Sequence, residues 1–160
     1  MTSNPPPSKK KPRPAAPKPT ASSAGRKPPP VVSVRRMHRR DINRAWTFLK
    51  LVFRSVNQKT LEYQRPRSKA RFEEVYDEDD IDQLLYEVDG QIVGYTESSY
   101  TPTGADNWMN PRYFDKRGMR PLFVDEIAVH PEYQGQGVGG FMLDQLQHIA
   151  RTRGCTHLVL

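Results

Sequence analysis

A strand, a glycine-rich loop and an amphipathic helix follow one another between Val124 and Ala150, and this segment constrains the fold more than any other part of the chain. The strand pattern runs from Val124 to Val129 and ends at the breaker His130-Pro131. The loop from Gln134 to Gly140 contains four glycines in seven residues. The segment therefore predicts a fold in which strands and helices alternate around a sheet.

The helix after the loop is predicted from apolar residues that recur at helical spacing. These are Phe141, Leu143, Leu146, Ile149 and Ala150. Because glycines lead into the helix N-terminus, backbone N–H groups stay unpaired there and a ligand can approach closely. The helix dipole adds partial positive charge at the same place. The segment thus predicts a phosphate-binding site that needs no basic side chain.

Three phosphate-loop patterns can be tested against these glycines. Gly135, Gly137 and Gly140 fit the dinucleotide pattern G-x-G-x-x-G, but the loop starts well after its strand and no acid follows at a spacing of about 20 residues. A Walker loop is excluded because no Lys-Ser/Thr pair follows the glycines. The remaining pattern, Q/R-x-x-G-x-G/A, is matched by Gln134, Gly137 and Gly139.

This last pattern closely resembles the acetyl-coenzyme A loop of the GNAT superfamily of N-acetyltransferases. The residues DEIAVHPEY precede the loop and an amphipathic helix follows it, which makes the match specific. The run I-A-V-x-P-x-Y/F-Q is also similar to ribosomal-protein N-acetyltransferases. The resemblance covers about residues 31 to 160 and implies a GNAT-like acyl-CoA N-acyltransferase fold, an α/β fold of the α+β type with a mixed sheet.

The remaining sequence predicts the order strand, helix, helix, hairpin, strand, helix, strand, which is similar to the first part of that fold. The further predicted elements are a strand at Val31–Met37, a helix N-capped by Asp41, a helix at Ser68–Tyr76, hairpin strands at Leu84–Val88 and Gln91–Tyr100 around Asp89-Gly90, a long loop at Thr101–Pro121 and a strand at Thr156–Leu160. The family normally continues with one more helix and two more strands. We therefore expect a fold that is C-terminally incomplete, truncated after the fifth strand, or one whose apolar last strand is covered by a homodimer partner or another chain.

The resemblance also implies roles for individual residues of the segment. Ile127, Ala128 and Val129 would offer backbone groups to the pantetheine arm of acetyl-CoA, which is the expected co-substrate. The pyrophosphate would be wrapped by Gln134, Gly135, Gln136, Gly137, Val138, Gly139 and Gly140. Gly137 and Gly139 would permit the close backbone approach, and Gln134 would close the loop through a side-chain hydrogen bond.

Two acids on the otherwise apolar strand, Asp125 and Glu126, are the candidate catalytic residues. Strict alternation points them to opposite faces, so at most one is expected to face the acceptor. Burial near a thioester would raise the pKa of a carboxyl group toward the range of a general base. GNAT enzymes often use an acid on this strand, and Glu126 is favoured over Asp125. The alternative is that both acids are strand-end carboxylates satisfied by basic side chains or water.

The predicted function is N-acetyl transfer from acetyl-CoA to a primary amine by direct attack. A protein N-terminus, a lysine or a small amine remain open as acceptors. The alternative is a catalytically inactive CoA-binding or protein-interaction module that is targeted by its basic tail. No metal is expected, since the acidic run Asp77 to Asp80 lacks the spacing and the glycine of a calcium loop.

Charge is distributed unevenly along the chain. The net charge is +7, and residues 1–30 contain seven basic residues, no acid and ten of the fifteen prolines. This composition predicts a disordered, basic, proline-rich tail followed by one domain at residues 31–160. Because the basic and acidic residues of 31–160 balance, nucleic-acid binding is not expected except weakly through residues 1–30.

Compartment signals are few. No apolar run reaches the length of a membrane span, and no hydrophobic signal core is present near the N-terminus. Cys155 is the single cysteine, so no internal disulfide can form. A reducing, cytoplasmic location is expected.

Overall fold

The computed structural model describes residues 28–59, 67–101 and 110–160. The predicted tail falls on residues 1–30, and its residues 1–27 lie outside the described part of the chain. The described strands are β1 Ser33–Arg36, β2 Ile81–Val88, β3 Gln91–Ser99, β4 Pro121–Val129 and β5 His157–Val159. The described α-helices are α1 Ile42–Lys59, α2 Lys69–Tyr76, α3 Pro111–Asp115 and α4 Val138–Thr152. The described 3₁₀ turns are Arg39–Asp41 and Pro131–Tyr133.

The five described strands form one mixed sheet in the order β1-β2-β3-β4-β5. The pairs β1–β2, β2–β3 and β3–β4 are antiparallel, whereas β4 and β5 are parallel and are joined through α4. This is the mixed α/β architecture that the sequence predicts. The turn between β2 and β3 is Asp89-Gly90, and both residues have positive φ, 49° and 79°. Such φ angles are typical of a two-residue hairpin turn, and Asp-Gly is suited to them.

Hydrophobic side chains pack on both faces of the sheet. One cluster combines α1 and α2 with β2, β3 and β4, and its largest fully buried members include Phe72, Tyr95 and Leu49. The other cluster lies under α4 and includes Tyr86 and Met142. The two clusters fix the sheet between helices, which holds β4 and the start of α4 in a defined relation.

The start of α1 differs from the expectation for Asp41. The side chain of Asp41 does not cap α1, because Asp41 is the last residue of the preceding 3₁₀ turn. Its Oδ2 accepts a hydrogen bond from the His38 backbone N–H at 3.0 Å. Arg35 donates to both Asp41 oxygens at 2.7 and 2.9 Å. The buried carboxylate therefore ties β1 to the start of α1 through its ion pair with the partly exposed Arg35.

The buried face of α4 also differs from the predicted one. Leu146 and Ala150 are buried as expected, but Val138 and Met142 complete the face. The remaining three predicted residues are only half-buried. A Cβ on Gly94 would lie only 2.7 Å from the sulfur of Met142, so the glycine leaves room for the methionine side chain against β3.

Candidate active site

The start of α4 presents backbone donors without any side-chain cap. Gly137 is the N-cap residue, has a φ of 88° and makes no side-chain hydrogen bond to the helix. The first helical backbone bond runs from the Phe141 N–H to the Gly137 carbonyl at 3.0 Å. The N–H groups of Val138, Gly139 and Gly140 precede that bond, so they belong to the unpaired donors of the first turn. The helix end is therefore suited to an anionic group.

Space around the loop glycines is uneven. A Cβ on Gly135, Gly137 or Gly140 would meet nothing within 4 Å, whereas one on Gly139 would lie 3.8 Å from Val129 Cγ2. Gly139 thus faces the strand, and Gly140 faces open space. Gly135 and Gly137 have positive φ, which other residues adopt only with strain.

Side chains of the loop bind back to the backbone before it. Gln134 Nε2 donates to the Val129 carbonyl at 3.4 Å, which links the loop to the end of β4, and its role toward acetyl-CoA stays a prediction. Gln136 Nε2 donates to the Glu132 carbonyl at 2.6 Å. His130 is buried, and its Nδ1 accepts from the Glu132 N–H at 3.2 Å. His130 therefore shapes the turn that leads into the loop.

One edge of β4 is open. β5 pairs with β4 only from Pro121 to Phe123, so within the described residues no strand pairs with this side of β4 from Val124 onward. The predicted pantetheine contacts Ile127, Ala128 and Val129 lie on this open stretch, directly before the glycine loop. Ile127 is 38% exposed although it is apolar. The open edge thus leads from the helix N-terminus toward Glu126.

A cleft of about 290 Å³ lies between α1 and β4. It is lined by Val52, Phe53, Val56, Asp125, Glu126, Ile127 and Ala128. Both candidate acids line it, although alternation predicts opposite faces. The register shifts between Glu97 and Ser98, and Asp125 is the extra residue of this bulge. A bulge interrupts alternation and redirects side chains, which explains the difference.

Glu126 is held in a buried polar cluster that the sequence does not reveal. Glu97 lies directly opposite Glu126 in the register of β3 and β4. Arg67, just before α2, donates to Glu97 Oε1 and to Glu126 Oε2, each at 2.7 Å. The Tyr95 hydroxyl donates to Glu97 Oε2 at 2.6 Å, and Gln83 donates to the same oxygen at 3.1 Å. The cluster joins three elements around two carboxylates.

Burial sets the proton affinity of this cluster. It raises the pKa of Glu126, the ion pair with Arg67 opposes that rise, and the Glu97 carboxylate adds to it. Burial and the Glu97 charge raise the pKa of Tyr95 well above its usual value, so its hydroxyl stays protonated. A carboxyl group with a raised pKa, lining a cleft next to an open strand edge, is suited to accept a proton.

Sequence reasoning identified Glu126 but missed Arg67 and Glu97. An acid inside a central strand is a weak signal for Glu97, because such residues are rarely buried without a partner. Nothing in the local sequence marks Arg67. Among the described residues, no group of three or more His, Cys, Asp or Glu side chains could hold a metal, and no described helix is both long and apolar enough to cross a membrane.

Known proteins similar to this chain point in one direction. Residues 49–160 match the model of the acetyltransferase (GNAT) family. A thialysine N-epsilon-acetyltransferase from Bos taurus is 37% identical over 41 residues. That alignment covers 26% of this chain and 24% of the relative, so the match spans about a quarter of the length of that curated protein.

Solved structures share the fold. A ribosomal-protein-alanine N-acetyltransferase from Brucella melitensis biovar Abortus 2308 superposes with a TM-score of 0.59 and 22% identity, covering 81% of this chain and 79% of its own. The aminoglycoside N-acetyltransferase AAC(6')-Iy, solved in complex with CoA, superposes with a TM-score of 0.55 and 15% identity, covering 81% and 76%. Because the family model spans well over half of the sequence, the chain belongs to the GNAT family of acetyltransferases.

Proposed function

We propose that this protein transfers an acetyl group from acetyl-CoA to a primary amine. One observation carries the proposal. The open edge of β4 connects an uncapped helix N-terminus at Gly137 with a cleft that contains Glu126. The first feature suits a phosphate, the edge suits an extended amide-bearing arm, and the acid suits an ammonium group.

Different parts of the site bind different parts of acetyl-CoA. The backbone from Gly135 to Gly140 binds the pyrophosphate of acetyl-CoA, and Gln134 holds the loop against β4. Backbone groups of Ile127 to Val129 orient the pantetheine arm along the edge. Acetyl-CoA supplies the acetyl group as a thioester. Glu126 lies at the other end of this path, in the cleft under α1.

The reaction needs one proton acceptor before bond formation. Glu126 takes a proton from the acceptor ammonium, which frees the nitrogen lone pair. The nitrogen attacks the thioester carbonyl carbon, the new C–N bond forms and the C–S bond breaks. The nitrogen then loses a second proton, and the departing CoA thiolate takes up one proton to leave as the free thiol. Asp125 also lines the cleft and is the second candidate for the first step.

The named relatives support an amine acceptor without selecting one. Their names describe acetyl transfer to nitrogen of thialysine, of a ribosomal-protein alanine and of aminoglycosides. The common chemical group is an amine. An α-amino group needs less assistance to lose its proton than a lysine side chain, because its reference pKa is about 7.7–8.0 compared with about 10.4.

Calorimetric titration of the full chain with acetyl-CoA is the first test, with CoA and NAD as matched ligands. We expect micromolar binding of acetyl-CoA and CoA and none of NAD. Release of free thiol is then measured with a panel containing a peptide N-terminus, a lysine side chain, a polyamine and an aminoglycoside. Absence of CoA binding by a folded chain would refute the loop assignment. Binding without thiol release from any amine would favour an inactive CoA-binding module.

A further inference from the structure

The ion pairs of Arg67 are arranged around Glu126 in a way that the proposed acetyl transfer alone does not require. Its guanidinium bridges Glu97 and Glu126 through two different nitrogens at equal distances of 2.7 Å. The two carboxylates face each other across neighbouring strands, and like charges placed in this way repel. The side chains are 3% exposed for Glu97 and 13% exposed for Glu126. Arg67 therefore places a positive charge between the two carboxylates.

Glu97 is fixed on its other side. Its second oxygen accepts hydrogen bonds from Tyr95 at 2.6 Å and from Gln83 at 3.1 Å. Gln83 also donates to the Tyr95 hydroxyl at 2.8 Å, so three side chains of β2 and β3 form a closed set. Glu97 is thus held in one position by Tyr95 and Gln83. Arg67 binds both Glu97 and Glu126 and so fixes Glu126 relative to Glu97.

The charges that face Glu126 come from few elements. β3 contributes Glu97 and the protonated Tyr95, and Arg67 comes from the segment just before α2. β4 itself adds Asp125, and the side of α1 that lines the cleft is apolar, with Val52, Phe53 and Val56. The set of Glu97, Glu126 and Arg67 contains two acids and one base, so an incoming ammonium group would match the second acid.

We infer that Arg67 is a positioning residue, which holds the Glu126 carboxylate in the cleft and offsets the repulsion between it and Glu97. The inference deepens the proposed function and rests on it for its catalytic meaning. An arginine suits this role because its planar fork can bind two carboxylates at once, whereas lysine offers a single ammonium.

Two substitutions have opposite expected effects on the pH dependence. Arg67→Met removes the cation and leaves the repulsion, so Glu126 binds its proton more tightly. The acid limb of kcat/KM should move to higher pH by about one pH unit or more. Glu97→Gln removes the repulsion and leaves Arg67 to Glu126 alone, so the acid limb should move to lower pH. If Arg67 and Glu97 had a purely structural role, both variants would lower the rate, but the acid limbs of their pH profiles would not shift in opposite directions.

The same shifts can be measured without turnover. Carbon-13 labelling of glutamate side chains gives the titration midpoint of Glu126 by NMR, with Glu126→Gln identifying its signal. Arg67→Lys should recover part of the Arg67→Met shift. Arg71→Met is the matched control, since Arg71 lies nearby on α2, is half-exposed and pairs with Glu74 and Glu78. It should leave the midpoint and the profile unchanged.

Removal of Arg67 alone leaves a buried, unpaired carboxylate and can prevent folding. In that case the comparison of Glu97→Gln with the double variant Arg67→Met/Glu97→Gln measures the same effect, and the midpoint should again rise when Arg67 is lost. Midpoints that stay fixed, or that move equally in Arg71→Met, would overturn the inference. If the unmodified chain acetylates no amine but the midpoints move as expected, the proposed function fails and the role of Arg67 toward Glu126 stands.

Discussion

At the residue scale, Asp41 makes the stability of this fold depend on acid. Its carboxylate is 2% exposed and is bound by Arg35 and by the His38 N–H. The hydrogen bond from Arg35 lowers its pKa from 3.8 to about 2. Because the folded value lies below the unfolded one, the stabilisation is present above pH 3.8 and is lost as the pH falls toward 2.

We therefore predict that Asp41→Asn lowers the free energy of unfolding at pH 7 by about 1–2 kcal/mol. The difference from the unmodified protein should shrink as the pH falls from 4 to 2. Urea unfolding at a series of pH values measures it. Asp77→Asn is the control, because Asp77 pairs with Arg39 at the surface, where such pairs contribute little. An equal loss in both variants would contradict the assignment.

The two acids of the cleft can be separated by amide substitution. Glu126→Gln removes the proton acceptor and should lower kcat by about 100-fold or more, the range of general base catalysis. Asp125→Asn should change kcat by much less, since Asp125 is the exposed bulge residue. Acetyl-CoA affinity should be unchanged in both, because neither side chain belongs to the glycine loop. A larger loss in Asp125→Asn would transfer the base role to that residue.

At the scale of the element, the loop and α4 are tested by a pair of alanine substitutions. Gly137→Ala forces a side chain onto a φ of 88°, which costs roughly 1–2 kcal/mol and distorts the N-terminal donors, so acetyl-CoA binding should weaken. Gly139→Ala places its Cβ at an ordinary contact distance from Val129, and alanine favours helix. It should bind acetyl-CoA normally and be at least as stable. Thermal unfolding and calorimetry distinguish the two, and similar behaviour of both would refute the geometric account.

Elements with a strong local signal were predictable, and those defined by tertiary contacts were not. The Asp89-Gly90 turn follows from the φ preferences of its two residues. The five-residue helix at Pro111–Asp115 lies within the predicted loop, because one turn is too short to show a periodic pattern. Val138 was missed because it lies within the predicted glycine loop. Met142 was missed in favour of its neighbours Phe141 and Leu143, and its contact with Gly94 places it on the buried face.

The residues of the candidate site also differ in how far the sequence predicts them. The glycine loop is contiguous in sequence, so its pattern could be recognised directly. Arg67 binds Glu126 across a sequence separation of 59 residues. Glu97 lies opposite Glu126 only because β3 pairs with β4. A single sequence contains no local signal for such contacts. The bulge at Asp125 depends on the partner strand as well, and for that reason alternation failed there.

At the scale of the whole molecule, the sheet and the basic tail pose separate questions. The homodimer or partner that would cover the last strand stays a prediction. β5 itself pairs with β4 through three residues, and Leu160 beyond it is 68% exposed. Sedimentation equilibrium at several concentrations would detect self-association, which is expected if a second copy covers this edge.

The tail can be removed without touching the proposed site. All seven basic residues of the first 30 lie within residues 1–27, whereas Pro29 and Pro30 line a cleft with Gln136, Gly137 and Val138 beside the loop. A chain of residues 28–160 therefore loses the excess charge and keeps the contacts at the helix N-terminus. It should keep the melting temperature and the acetyl-CoA affinity of the full chain.

Any binding of an oligonucleotide that the full chain shows at low salt should disappear, because phosphate contacts depend on the basic residues and on salt. Replacement of Lys9, Lys10 and Lys11 by glutamine should weaken that binding in the full-length chain, which separates charge from length. Salt-dependent binding that persists in residues 28–160 would place a nucleic-acid surface on the folded domain instead.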